Sequence, residues 1–161
     1  MAFHIKILLK SLDFCLFLCY NSIVVLNIVF QEAKAMTLQD LTVLICDDSM
    51  FARKKLNMSI AAMGVGKVFE AADGAEAIEK YDECMPDVVF MDIIMPKVTG
   101  IDALKAIIAK HPEAKIVMAS SVGTQGHLKD ALKAGAADFL QKPITDEDAK
   151  KILENAAKGV L

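Results

Sequence analysis

The chain has 161 residues, 55% of them hydrophobic, with a formal net charge of −3. That is enough chain for one domain with a sizeable core, and the mildly acidic balance excludes a nucleic-acid footprint, which would need a basic face. The four cysteines, Cys15, Cys19, Cys46 and Cys84, form no CxxC pair. They read as reduced thiols of a cytosolic protein, not as a disulfide framework or a cysteine metal site.

Residues 1–36 differ from the rest, with three lysines against two acids, whereas residues 37–161 carry 15 basic and 19 acidic residues. Leu12 to Phe30 is rich in Leu, Val, Ile and Phe and approaches the ~20 apolar residues of a membrane span. Asp13, Asn21, Ser22 and Asn27 interrupt it. A central Asp costs a span about 2.5–3.5 kcal/mol, and Asp13, near one end, costs less. Lys6 and Lys10 ahead of the apolar run, with Ala33-Lys34-Ala35 behind it, imitate a signal peptide and its cleavage site. A third reading is preferred: translation starts at Met36 and residues 1–35 are an upstream extension of the reading frame. The domain pattern begins almost at once after Met36. A membrane anchor ranks second and a signal peptide third.

From Met36 the chain alternates strands and helices. Leu41 to Cys46 is a buried strand ending on Asp47-Asp48. Ser49 caps the helix that follows, whose apolar positions are Met50, Phe51, Leu56, Ile60 and Met63, with Gly64 and Gly66 closing it. Lys67 to Glu70 is a short second strand. Asp73, with Glu76 three residues on, is a capping-box-like start for a helix to about Asp82. Val88-Val89-Phe90-Met91 is the central buried strand and ends on Asp92; Pro96 and Gly100 then turn the chain into a helix over Ile101 to Lys110. Lys115 to Ala119 is a fourth strand ending on Ser120-Ser121, followed by a helix from about Gln125 to Ala134. Asp138-Phe139-Leu140 is a fifth strand leading to Gln141-Lys142-Pro143. Thr145 with Asp148 caps the last helix. Five such units give a parallel sheet covered on both faces, with right-handed crossovers. No linker or low-complexity tract interrupts them, and no second domain is expected downstream.

An acid at the carboxyl end of a buried strand is costly unless it has a partner or a job, and in an open α/β sheet ligands bind at that end. Asp92 is too far from Ile101 to cap the next helix; Thr99 or Gly100 is better placed. A parallel sheet brings Asp47, Asp48, Asp92, Ser120 and Lys142 to one edge. Singly, Asp47-Asp48 could bias a helix start, Ser120 could serve a turn and Lys142 could be a solvated loop residue. Jointly, they gather at the ends of four strands. Three crowded carboxylates repel. A hard Mg²⁺ ion, which binds through one or two carboxylates plus waters and phosphate oxygens, offsets their charge. Lys142 adds a mobile cation, and the set suits phosphoryl transfer to a carboxylate nucleophile.

Residues 38–161 resemble the receiver domain of two-component response regulators, above all the single-domain, CheY-like type. The resemblance rests on Asp47-Asp48-Ser49, on Met91-Asp92-Ile93-Ile94-Met95-Pro96 with Gly100, on Ala119-Ser120-Ser121, on Ala134-Gly135-Ala136 and on Lys142-Pro143-Ile144. It implies a flavodoxin-like α/β fold: a doubly wound five-stranded parallel sheet of order 2-1-3-4-5 with five helices. It makes Asp92 the phosphoacceptor and gives Mg²⁺ to Asp47, Asp48, Asp92 and the Ile94 carbonyl. Ser120 and Lys142 would contact the phosphoryl group, and Phe139 would be the aromatic switch. The Lys142–Pro143 bond resembles the family's cis peptide, although trans is the X–Pro default. The implied partners are a sensor histidine kinase and a downstream protein that docks on the fourth helix, fifth strand and fifth helix. The implied protein is cytoplasmic, is not a classical enzyme, binds no nucleic acid, and meets a membrane only if residues 1–36 are translated as an apolar extension. Chemotaxis is the family-level expectation for its pathway.

Two departures stand out. The positions two after Asp92 and two after Ser120 are Ile94 and Val122, where fast-dephosphorylating members often carry polar residues, and the switch aromatic is Phe instead of Tyr. Ile94 also argues against an aspartyl-phosphate-type Mg²⁺ phosphatase, which needs a second Asp there as acid and base. A flavin mononucleotide binder would need a hydroxyl- and Gly-rich loop after the first strand, where Asp47-Asp48 would repel phosphate. A phosphate sink without an output partner is not separated by sequence from a signalling role.

Overall fold

The computed structural model describes residues 36–121 and 125–161; the expectations for residues 1–35 and for Val122 lie outside these. After a 3-10 turn at Leu38–Asp40 come β1 (Thr42–Cys46), α1 (Met50–Ala62), β2 (Lys67–Ala71), α2 (Gly74–Cys84) and β3 (Val88–Asp92). Then follow α3 (Gly100–Lys110), β4 (Ile116–Ser120), α4 (Gln125–Lys133), β5 (Asp138–Gln141) and α5 (Asp146–Ala157). All strand pairs are parallel, in the order β2-β1-β3-β4-β5. This is the expected doubly wound fold, with element ends moved by a residue or two.

Strand alternation sorts the core into two clusters. Leu44, Cys46, Val89, Met91, Ile116 and Met118 face α2, α3 and α4, where Tyr81, Leu104, Ile107 and Ala131 meet them. Val43, Ile45, Val88, Phe90 and Val117 face α1 and α5, where Ile60, Ile152 and Leu153 meet them. Every residue of β3 and β4 is buried, as a central parallel strand requires.

Helix starts are set by side-chain caps. Ser49 Oγ accepts from Ala52 N at 3.3 Å, Asp73 Oδ1 from Ala75 N and Glu76 N at 3.0 and 2.9 Å, and Thr99 Oγ1 from Asp102 N at 3.2 Å. Thr145 and Asp148 form a full capping box on α5. Glu76 differs slightly from expectation: its carboxylate takes the N–H of Ala72, one residue before the cap, at 2.7 Å.

The larger difference is in α1. Met50 and Phe51, read as apolar-face positions, are 64% and 80% exposed. The buried stripe runs back from Met63 through Ile60 and Leu56, and at helical spacing its next position is Arg53, not Met50 or Phe51.

Candidate functional site

The site follows from the register of the sheet. Cys46 pairs with Met91, Asp92 with Ala119 and Ser120 with Gln141. Asp47 and Asp92 therefore lie side by side, and Lys142 N–H donates to the Ser120 carbonyl at 2.9 Å. Each carboxylate emerges where its strand leaves the ladder.

Asp47, Asp92 and Ser120 are buried, at 6%, 8% and 1% exposure, whereas Asp48 is exposed. The Lys142 ammonium lies between two carboxylates, 2.5 Å from Asp47 Oδ2 and 2.6 Å from Asp92 Oδ2. Ser49 N–H holds Asp47 Oδ1 at 2.8 Å, and Ile94 N–H reaches Asp92 Oδ1 at 3.4 Å. Burial pushes the Asp92 carboxyl above the usual carboxylate range, against the hydrogen bond and charge of Lys142, which pull it down. For Lys142, burial pulls the ammonium down but its bonds to Asp47 and Asp92 outweigh this, and it is raised overall. The lysine thus stays charged at neutral pH.

Each of Asp47, Asp48 and Asp92 offers a carboxylate oxygen within 4.8 Å of the others. An all-oxygen donor set suits a hard divalent cation such as Mg²⁺, and the ammonium already drawn between Asp47 and Asp92 shows that the place attracts positive charge. Gly100 closes the far side. A Cβ there would lie 1.9 Å from the Asp92 carbonyl oxygen, so only glycine lets α3 begin this close to β3. The loop between them is tied to the β2–α2 turn by Lys97, whose ammonium is 2.5 Å from Asp73 Oδ2. The Lys142–Pro143 bond is cis, as the resemblance implied. Phe139 is half-buried and packs against the cluster shared with α3 and α4. Beside the carboxylates, a cavity of about 390 Å³ opens between α1 and the β5–α5 loop, lined by Phe51, Leu56, Phe90, Pro143 and Ile144 among others.

The site residues singled out in sequence and described by the structure fall at this edge or, for Phe139, on the strand leading to it. Sequence reading missed Arg53 and Glu70. Arg53 Nη1 donates to the carbonyl of Asp47 at 2.7 Å and to that of Asp48 at 3.4 Å, and its Nε to Glu70 Oε2 at 3.2 Å. The available signal was a cation on the inward stripe of α1, close to the positive end of the helix dipole, where it is unfavourable without a partner.

A five-stranded doubly wound sheet with three carboxylates and a lysine at its carboxyl edge defines an α/β domain with an acidic, cation-attracting site. Residues 43–154 match the family "Response regulator receiver domain". The chemotaxis protein CheY of Listeria monocytogenes is 45% identical over 118 residues, 73% of this chain and 99% of that protein. CheY of Thermotoga maritima is 44% identical over 116 residues, 72% of this chain and 97% of that protein. Among solved structures, the CheX–CheY–BeF3–Mg complex of Borrelia burgdorferi superposes with a TM-score of 0.67 at 36% identity, covering 70% of this chain and 86% of that one. The chain belongs to the response regulator receiver family. It is homologous to CheY, a signalling protein and not a classical enzyme. Among the described residues, no helix is long and apolar enough to cross a membrane.

Proposed function

We propose that this chain is a cytoplasmic, CheY-like response regulator that accepts a phosphoryl group on Asp92 from a sensor histidine kinase and changes its affinity for a protein partner. Residues 38–161 form the receiver, and chemotaxis, the setting named for its CheY relatives, is the pathway proposed. The observation that carries this reading is the buried Asp92, bridged by Lys142 to Asp47 and flanked by exposed Asp48.

In the transfer, an ionised Asp92 oxygen attacks phosphorus. The P–O bond to Asp92 forms as the P–N bond to the kinase histidine breaks, and the imidazole nitrogen keeps the bonding pair. Lys142 is placed to shift from the carboxylates to the arriving phosphoryl oxygens, and Ser120 to donate its hydroxyl to them. Mg²⁺, held by Asp47, Asp48, Asp92 and the Ile94 carbonyl, would neutralise charge on those oxygens. The chain itself supplies the nucleophile and the positioned cations, and so promotes its own phosphorylation and later hydrolysis. The new group adds about −1.5 to −2 charge. As Ser120 moves toward it, Phe139 turns inward, and the face made by α4, β5 and α5 changes for the partner.

Labelling with a small-molecule phosphodonor in Mg²⁺ tests this. Asp92→Ala should abolish the label, and so should Asp48→Ala or a chelator. Persistent acid-stable label on Asp92→Ala would move the acceptor to Ser or Thr, and undiminished labelling of Asp48→Ala in chelator would remove the metal.

A further inference from the structure

Asp48 is the exposed member of the acidic cluster, and among the described residues its carboxylate has no hydrogen-bond or ion-pair partner. Asp47 is different: Ser49 N–H and Lys142 hold its side chain, and its own N–H donates to the Ala71 carbonyl at 3.2 Å. With no side-chain partner of its own, the Asp48 carboxylate can reach only where its backbone places it. That backbone is gripped from below by Arg53, whose guanidinium reaches the Asp47 and Asp48 carbonyls with one nitrogen and Glu70 with another. Asn57 Nδ2 donates to the other Glu70 oxygen at 2.6 Å, so the carboxylate that anchors Arg53 is itself fixed. The Arg53 side chain is only 13% exposed. A largely covered charge with three oxygen partners, two on the β1–α1 turn and one on β2, is held in one geometry, and a planar fork is the group able to do it.

We propose that Arg53 is a positioning residue for the acidic pair: its contacts to the Asp47 and Asp48 carbonyls, braced by Glu70 and Asn57, set the carboxylates for divalent-cation binding. This rests on the metal reading above and assigns a role beyond the ligands themselves.

Charge and geometry make opposite forecasts. Arg53 is a cation near a cation site, so by charge alone its loss tightens Mg²⁺ binding; as a brace, its loss weakens it. Calorimetric titration of the full chain with magnesium chloride compares the unaltered protein with Arg53→Ala, Arg53→Lys, Glu70→Gln and Asp48→Ala. Both Arg53 variants should lose about tenfold in affinity or more, as is typical when an outer partner of a metal ligand is removed, and Glu70→Gln should lose less. Lysine keeps the charge but cannot reach all three oxygens, so it should not rescue. Tighter binding by Arg53→Ala, or unchanged binding by both Arg53 variants, would overturn the proposal. Equal Mg²⁺ affinity in the unaltered protein and Asp48→Ala would instead overturn the metal reading. A readout without metal separates the two: amide hydrogen exchange at Asp48 and Ser49 should quicken in Arg53→Lys, with the β1 amides unchanged, and unchanged exchange at Asp48 and Ser49 would also overturn the brace. If Arg53→Ala does not fold, Arg53→Lys and Glu70→Gln carry the same test.

Discussion

Ile94 lies two residues beyond Asp92, the proposed acceptor, and is 56% exposed, at the rim where water would approach a phosphoryl group carried there. Hydrolysis needs a water aligned opposite the departing Asp92 oxygen, and a side-chain amide or carboxylate can orient it. Isoleucine has no hydrogen-bonding group and adds bulk, and Val122 brings the same chemistry in sequence. Slow self-dephosphorylation is expected, and Ile94→Asn with Val122→Glu should accelerate it, followed by loss of label after donor removal. Loss within seconds from the unaltered protein, with no phosphatase present, would contradict this. At this scale the candidate site was largely legible: Asp47, Asp48, Asp92 and Ser120 stand at the ends of apolar runs, and Lys142 follows the short fifth strand. Arg53 did not, because its partners are two backbone carbonyls and a glutamate on a different element, and backbone partners leave no trace in side-chain pattern.

Among the elements, α1 shows how a periodic signal misleads. Met50 and Phe51 are apolar but lie off the face defined by Leu56, Ile60 and Met63, and both are exposed, Phe51 at the wall of the 390 Å³ cavity. Only Ile60 of this helix is fully buried. Ile60→Ala should therefore cost about 2–5 kcal/mol, while Phe51→Ser should stay within about 0.5 kcal/mol. Urea denaturation of the two variants checks the contrast; a large loss for Phe51→Ser would restore it to the core. The strands were easier to read. A buried parallel strand is continuously apolar, so Val88 to Met91 needed no face assignment, and the caps at Ser49, Thr99 and Thr145 are local enough to be seen in sequence. Strand order is not local, and it came from family resemblance alone.

For the molecule as a whole, acid stability follows from carboxylates that fold into stronger partners. Glu70 is held below its ordinary value near 4.5, chiefly by the Asn57 hydrogen bond, with burial opposing and Arg53 adding to the depression. Glu76 is lowered mainly by Lys80, then by the Ala72 N–H, and Asp82 by Lys110 and His111, which join the ends of α2 and α3. A depressed carboxyl stays ionised in the native state while its unfolded counterpart takes up a proton. Its contribution is thus complete above about pH 4.5 and is lost as pH falls through the native value. Asp92, raised by burial, acts in the opposite sense and offsets part of the loss. Urea midpoints should hold steady near neutrality and fall below about pH 4.5, and Glu70→Gln should flatten that acid limb. A midpoint unchanged at pH 4 would contradict the assignment.

The parallel sheet also divides the molecule into an edge that can be lengthened and an edge that cannot. Asp47, Asp48, Asp92, Ser120 and Lys142 all lie at or within two residues of a strand's carboxyl end, so an extra residue in 93–99 or 142–145 displaces a working atom. The opposite connections only return the chain to the next strand. Between α3 and β4, Pro112 and Glu113 are exposed and remote from the carboxylates. A short Gly-Ser insertion between them should leave folding and phosphorylation intact, whereas the same insertion after Ile94 should abolish labelling. An epitope or a fluorescent reporter therefore belongs at Pro112–Glu113.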